Sequence, residues 1–135
     1  MKRDIDLIRG ILFAVEKSEG RDALGLAWQK IDAKDHSKEE IIFHLNLLRE
    51  AGFLKFVPTV QDSDKDNPNP IIKRLTWAGY EFLEAAREDT NWKAAKEVAG
   101  KVGSFSLEVL KPILIDLAKQ AALTAVVTVP LLLQR

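Results

Sequence analysis

The stretch SKEEIIFHLNLLREAGF, Ser37 to Phe53, limits the fold of this chain more than any other. Ser37 and Glu40 have the spacing of a capping box, in which each side chain satisfies a free backbone N–H at a helix start. Ile41, Leu45 and Leu48 recur at four- and three-residue spacing as one buried stripe. Gly52 falls where a helix closes on a left-handed residue, and Phe53 is placed to pack back on Leu48. The spacing predicts a single helix over Ser37–Ala51.

A hairpin follows. In FLKFVPTV, Leu54 and Phe56 alternate with Lys55 and Val57, and Pro58, lacking a donor, marks an edge. QDSDKDNPNP is rich in turn formers, and IIKRLTW returns as the second strand. The expected antiparallel pair is Leu54–Val60 with Ile71–Leu75. Thr76 reads as the cap of a helix to about Asp89, with Trp77, Tyr80 and Leu83 along it. A further helix, TNWKAAKEVAG, ends at Gly100. Upstream, Ile5, Ile8, Leu12 and Val15 place a helix over about Arg3–Lys17, closed by Glu19–Gly20. ALGLAWQKID reads two ways. Leu24, Leu26 and Trp28 alternate like a strand, while Leu24, Trp28 and Ile31 fit a helix. Gly25 costs a helix about 1 kcal/mol relative to Ala, which favours a short strand.

Helix, short strand, helix, two-stranded wing, helix is the order of a winged helix. The expected fold class is mainly α (α+β). A winged-helix-like domain with a two- or three-stranded β-wing takes residues 1–100, and a helical extension with a long apolar helix takes 101–135. The usual trihelical core wants another helix before Ser37, and DAKDH is too short to be one.

MKRDIDLIR, EEIIFHLNLLREAGFL, RLTWAGYEFLEAARED and SLEVLK, taken in order, carry a resemblance. From Met1 to about Lys119 the chain resembles a family of short uncharacterised proteins of phage and prophage, known by a domain-of-unknown-function label. The resemblance implies a winged-helix-like fold and a phage-related setting. It implies no activity, and it transfers no catalytic or ligand residue. AALTAVVTVPLLLQR lies outside the shared pattern.

A winged helix suggests DNA, and the residues argue against it. With 20 Lys and Arg against 20 Asp and Glu, the chain has no net charge. Nucleic-acid binders usually carry a basic surplus that neutralises phosphate. With Ile41, Leu45 and Leu48 inward, the outer line of the helix is Glu39, Phe43, Asn46 and Glu50, without Lys or Arg. Lys38 and Arg49 lie on its flanks. Lys55, Lys73 and Arg74 give the hairpin positive charge, while Asp62, Asp64 and Asp66 surround Lys65 at the tip. The plainer account makes these cations ordinary solvated strand residues. Glu39, Phe43, Asn46, Leu47 and Glu50 instead have the make-up of a small protein-binding patch. The bland alternative packs Phe43 under the wing or the C-terminal segment. A DNA-binding transcriptional regulator is the rival function. It would use the Ser37–Ala51 helix and the 53–77 wing, with Lys38, Arg49, Lys55, Lys73 and Arg74 on the backbone.

Signs of chemistry are few. With no cysteine, the chain has no disulfide and no thiolate metal site. On one helix His36 and His44 would stand about 12 Å apart along the axis, too far for one metal. His44, beside the core stripe, reads as a packed, hydrogen-bonded histidine. Glu39 and Glu40 diverge by about 100°, and Glu40 already caps. DSDKDN lacks the central Gly and the bidentate Glu of a calcium loop. No phosphate-cradling Gly loop and no nucleophile elbow occurs. Neither an enzyme nor a cofactor or metal is expected, and a start without a secretion signal points to the cytoplasm.

The tail, SLEVLKPILIDLAKQAALTAVVTVPLLLQR, is apolar on most sides. Only Glu108, Asp116, Gln120, Thr124 and Thr128 form a narrow polar stripe, and so wide an apolar surface needs a cover. Pro112 is expected to kink or restart the helix and Pro130 to end it. The uncharged run Gln120–Gln134 is fifteen residues, against about 20 for a membrane span. The expectation is a homo-oligomer formed through Ile113, Leu117, Leu123 and Val127. Burial within the monomer and a membrane-active effector are the alternatives. The function expected overall is a regulatory or interaction protein that binds an unidentified protein partner.

Overall fold

The structure, a computed structural model, describes residues 1–21, 24–59 and 65–133, with side chains through residue 125. It is mainly helical with one small antiparallel sheet, an α+β architecture. The elements are α1 (Ile5–Ser18), β1 (Leu26–Ala27), a 3-10 turn (Trp28–Lys30), α2 (Lys38–Glu50), β2 (Leu54–Phe56), β3 (Ile71–Leu75), α3 (Trp77–Ala86), α4 (Asp89–Val102) and α5 (Leu107–Leu133). Two compact units divide between Leu83 and Glu84, ahead of the boundary expected at residue 100. α4 therefore belongs with α5.

In the first unit, α2 forms as its signals dictate. Ser37 Oγ accepts the Glu40 N–H and the Glu40 carboxylate accepts the Ser37 N–H, closing the capping box. At the other end Gly52 takes φ 80°. The Phe53 N–H then reaches the Leu48 carbonyl at 2.9 Å and the Gly52 N–H that of Arg49 at 3.0 Å, a Schellman close.

The sheet order is β1-β3-β2. ALGLAW thus holds a strand of two residues followed by one 3-10 turn. Gly25 is needed there: its φ is +93°, and a Cβ would come within 2.8 Å of the Ile72 carbonyl. β3 carries a bulge. Leu54 pairs with Leu75 and Lys55 with Arg74, but Phe56 pairs with Ile72. Lys73 is the extra residue. It lets Ile72 and Leu75, three apart, both face the core, and leaves Lys73 and Arg74 side by side in solvent. Pairing through β2 stops short of the expected Val60, with the Val57 N–H still reaching the Ile71 carbonyl. Residues 60–64, including Asp62 and Asp64, lie outside the described residues.

α1 buries Leu7 and Ile11 as well as Ile8, Leu12 and Val15, while Ile5 is only half-buried. The stripe is wider than expected because α1 packs against both α2 and β3. Thr76 Oγ1 accepts the Gly79 N–H and donates to the Gly52 carbonyl, so it caps α3 as expected. Phe82 and Leu83 turn inward, with Phe82 stacked on Phe53 at 5.3 Å, whereas Trp77 and Tyr80 are exposed.

In the second unit, α4 runs past Gly100 and closes on Gly103. α5 packs on α4, burying Leu110 and Leu114. It passes through Pro112 without a break and continues past Pro130 to Leu133. Charges at Glu108, Lys111, Asp116 and Lys119 interrupt the apolar surface. Among the described residues, no helix is long and apolar enough to cross a membrane.

Candidate functional site

α2 presents three faces. The first buries Ile41, His44, Leu45 and Leu48. The second is covered by the loop before β3. Asn46, expected on the outer line, is buried. Its Oδ1 accepts the Asn67 N–H at 2.8 Å, and its Nδ2 donates to the Asn67 and Ile42 carbonyls at 2.9 Å. The side-chain amide pairs with the loop as a strand would. At about 140° from Ile41 on the helix wheel, Asn46 lies nearer the edge of the outer face than its centre. Arg49 follows the same course: its Nη2 donates to the Lys65 carbonyl at 3.0 Å, and its guanidinium lies 4.7 Å above the Phe56 ring. Lys38 leans over the Trp28 ring at 5.2 Å, and Trp28 Nε1 donates to Asn69 Oδ1 at 2.6 Å.

The third face points to solvent. Glu39 and Glu50 are exposed, with Phe43 and Leu47 half-exposed between them. Four of the five candidate partner residues therefore come together, and Asn46 leaves the group. Phe43 meets the His44 ring edge-on at 5.4 Å.

The hairpin cations form a second cluster. Lys55 and Arg74 are cross-strand partners and Lys73 is the bulge residue beside them, all three exposed. Arg74 Nη1 donates to the Leu75 carbonyl at 3.0 Å. Lys73 and Arg74 wall a hollow of about 290 Å³ whose lining includes Gly20, Gly25 and Glu19. One Glu19 oxygen is already taken by the Leu75 N–H at 2.7 Å.

The two histidines meet at Asp4. Asp4 Oδ1 caps α1 by accepting the Asp6 and Leu7 N–H groups, and Oδ2 accepts from His36 Nε2 at 3.0 Å. That bond holds the Asp4 carboxyl below its usual range; burial pushes the other way, and the two backbone N–H groups help to lower it. The Asp4 N–H donates to His44 Nε2 at 2.8 Å, and His44 Nδ1 donates to the Glu40 carbonyl at 2.7 Å. A carbonyl only accepts and an N–H only donates, so the fully buried ring is the neutral Nδ1–H tautomer. Among the described residues no group of three or more His, Cys, Asp or Glu could hold a metal.

On α5, Ile113 and Leu117 are half-buried on the side of Leu110 and Leu114, which faces α4. Leu123 is 65% exposed, and its neighbours from 121 to 125 are exposed as well. The side chain of Val127 lies outside the described residues.

Sequence reasoning missed Asp4, Asn46 as a latch, and Trp77 as a surface residue. The Asp4-x-x-Leu7 spacing before an apolar stripe was a usable cap signal; the Asn46 latch depends on Asn67, distant in sequence, and the spacing along α3 assigned Trp77 no face.

A family model described as "Hypothetical protein (DUF2513)" matches residues 2–106. An "Uncharacterized protein" of Haemophilus influenzae (strain ATCC 51907 / DSM 11121 / KW20 / Rd) is 32% identical over 115 residues, which cover 84% of this chain and 92% of that protein. No solved structure matches.

Proposed function

We propose that this chain, which belongs to the DUF2513 family, is a non-enzymatic winged-helix-like interaction protein that binds a protein partner and itself. The order α1, β1, α2, β2, β3, with β3 central in the sheet, supports the winged-helix reading. The phage or prophage setting is carried by the resemblance alone. One observation carries protein binding: the open face of α2 is Phe43 and Leu47 between Glu39 and Glu50, while Lys38 and Arg49 lean away onto Trp28 and Phe56. A half-exposed apolar centre with a charged rim suits a protein surface. Two carboxylates facing a phosphate backbone oppose binding in a major groove. Self-association is supported by the exposed, largely apolar stretch 121–125 of α5.

The test is capture of partners from host cells after nuclease treatment, with wild type and with Phe43→Glu plus Leu47→Glu. A protein retained by wild type and lost by the variant supports the reading. Retention unaffected by the variant counts against it. Sub-micromolar binding to duplex DNA, abolished by Lys73→Ala plus Arg74→Ala, would favour the transcriptional regulator instead.

A further inference from the structure

Trp77 is 79% exposed and Tyr80, one turn on, 38%. Both sit on the first turns of α3, directly after β3 ends at Leu75. Arg74 precedes Trp77 by three residues, which bounds their backbone separation at about 11 Å. Lys55 lies across the strand pair from Arg74, and the bulge turns Lys73 to solvent with them. Among the described residues none of these three cations pairs with a carboxylate. An exposed indole within about 11 Å of Arg74 along the backbone, with Lys55 across the strand pair and a hollow of about 290 Å³ walled by Lys73 and Arg74, makes an aromatic platform near a positive track. Two carboxylates stand on this part of the unit: Glu81, one turn beyond Trp77 on α3, and Glu19, which lines the hollow with Lys73 and Arg74 and has one oxygen taken by the Leu75 N–H.

We infer that Lys55, Lys73, Arg74 and Trp77 form a binding face for single-stranded nucleic acid, with the cations on phosphates and the indole beneath a base. Bases in a single strand have free π-faces that stack on exposed aromatics without sequence preference. In a duplex those faces are covered, and the open face of α2 offers a groove Glu39 and Glu50 around Phe43 and Leu47, with no cation. Charge complementarity thus selects a polyanion, and the open indole selects an unpaired base. This face is separate from the Phe43–Leu47 patch, so either assignment stands or falls without the other.

The experiment is fluorescence anisotropy of a labelled oligothymidylate of about a dozen nucleotides, titrated with the full chain at several salt concentrations. Three phosphate contacts at roughly 0.7 each predict a log–log salt slope of about −2. Trp77→Ala should weaken binding about tenfold or more, and Trp77→Phe should restore most of it. Lys73→Ala plus Arg74→Ala should flatten the slope to about −0.7. Circular dichroism of each variant should match wild type, since all these side chains are exposed. No binding at low salt overturns the proposal. So does binding indifferent to Trp77→Ala, or equal affinity for a duplex of the same length. A change in light-scattering mass on Trp77→Ala would assign the face to a protein contact, and the proposal would fail.

Discussion

The backbone N–H of Asp4 donates to Nε2 of His44 at 2.8 Å, tying the start of α1 to the middle of α2. The bond links residues 40 apart in sequence, and the ring on which it ends is fully buried. His44→Ala would leave that N–H without its acceptor, leave the Glu40 carbonyl without the ring, and open a void. Together these should cost about 2–4 kcal/mol. Urea unfolding of wild type and variant measures it. A loss under about 0.5 kcal/mol would mean the ring only fills space.

Asp4 also sets an acid response. Its carboxyl is lowered chiefly by the hydrogen bond from His36, so it binds protons less readily folded than unfolded. Stability from a lowered acid is present above the unfolded value, about pH 4, and is lost as pH falls through the folded value. The start of α1 should therefore loosen below about pH 4. Carboxyl NMR titration checks this. His36→Gln should move Asp4 upward, and an unchanged titration would show that His36 is not the cause. Asp4→Ala removes the cap as well and should cost about 0.5–2 kcal/mol.

Asn46 predicts a loosened wing. Its amide makes both bonds to the Asn67 backbone, so Asn46→Ala should free the loop from α2 and cost about 1–3 kcal/mol. Limited proteolysis should cut near residues 65–70 faster in the variant, while wild type resists. Equal cutting rates would show that Arg49, through Lys65, is enough to hold the loop.

What the sequence made legible was local. The capping box at Ser37 and Glu40, the Gly52 close and the Thr76 cap each act within a few residues, and each appears where expected. The bulge at Lys73 was hidden because it exists only relative to Lys55 on another strand. Asn46 looked like a surface residue because its partner, Asn67, lies 21 positions on in a turn-rich loop. In α3 the spacing of Trp77, Tyr80 and Leu83 named no buried side; packing turns Phe82 and Leu83 inward and leaves Trp77 to solvent. For the candidate surface on α2, Glu39, Phe43, Leu47 and Glu50 were readable from the 100° step alone. Which flank the loop covers was not.

The last prediction concerns α5. Its Leu110 and Leu114 are buried, and Ile113 and Leu117 lie half-buried beside them where α4 packs. The self-association proposed here therefore shifts from those two residues toward Leu123, in the stretch 121–125 whose side chains are all exposed. Covering one Leu is worth about 1.5–3 kcal/mol, so several such positions on paired helices could hold a dimer. Light scattering should give wild type a mass above 15.2 kDa, that of one chain. Leu123→Asp, or truncation after Lys119, should return the single-chain mass without unfolding either unit, because Leu110 and Leu114 remain. A wild type that scatters as one chain in detergent-free buffer would sink the self-association proposal. A dimer unchanged by truncation would place the contact elsewhere on the chain.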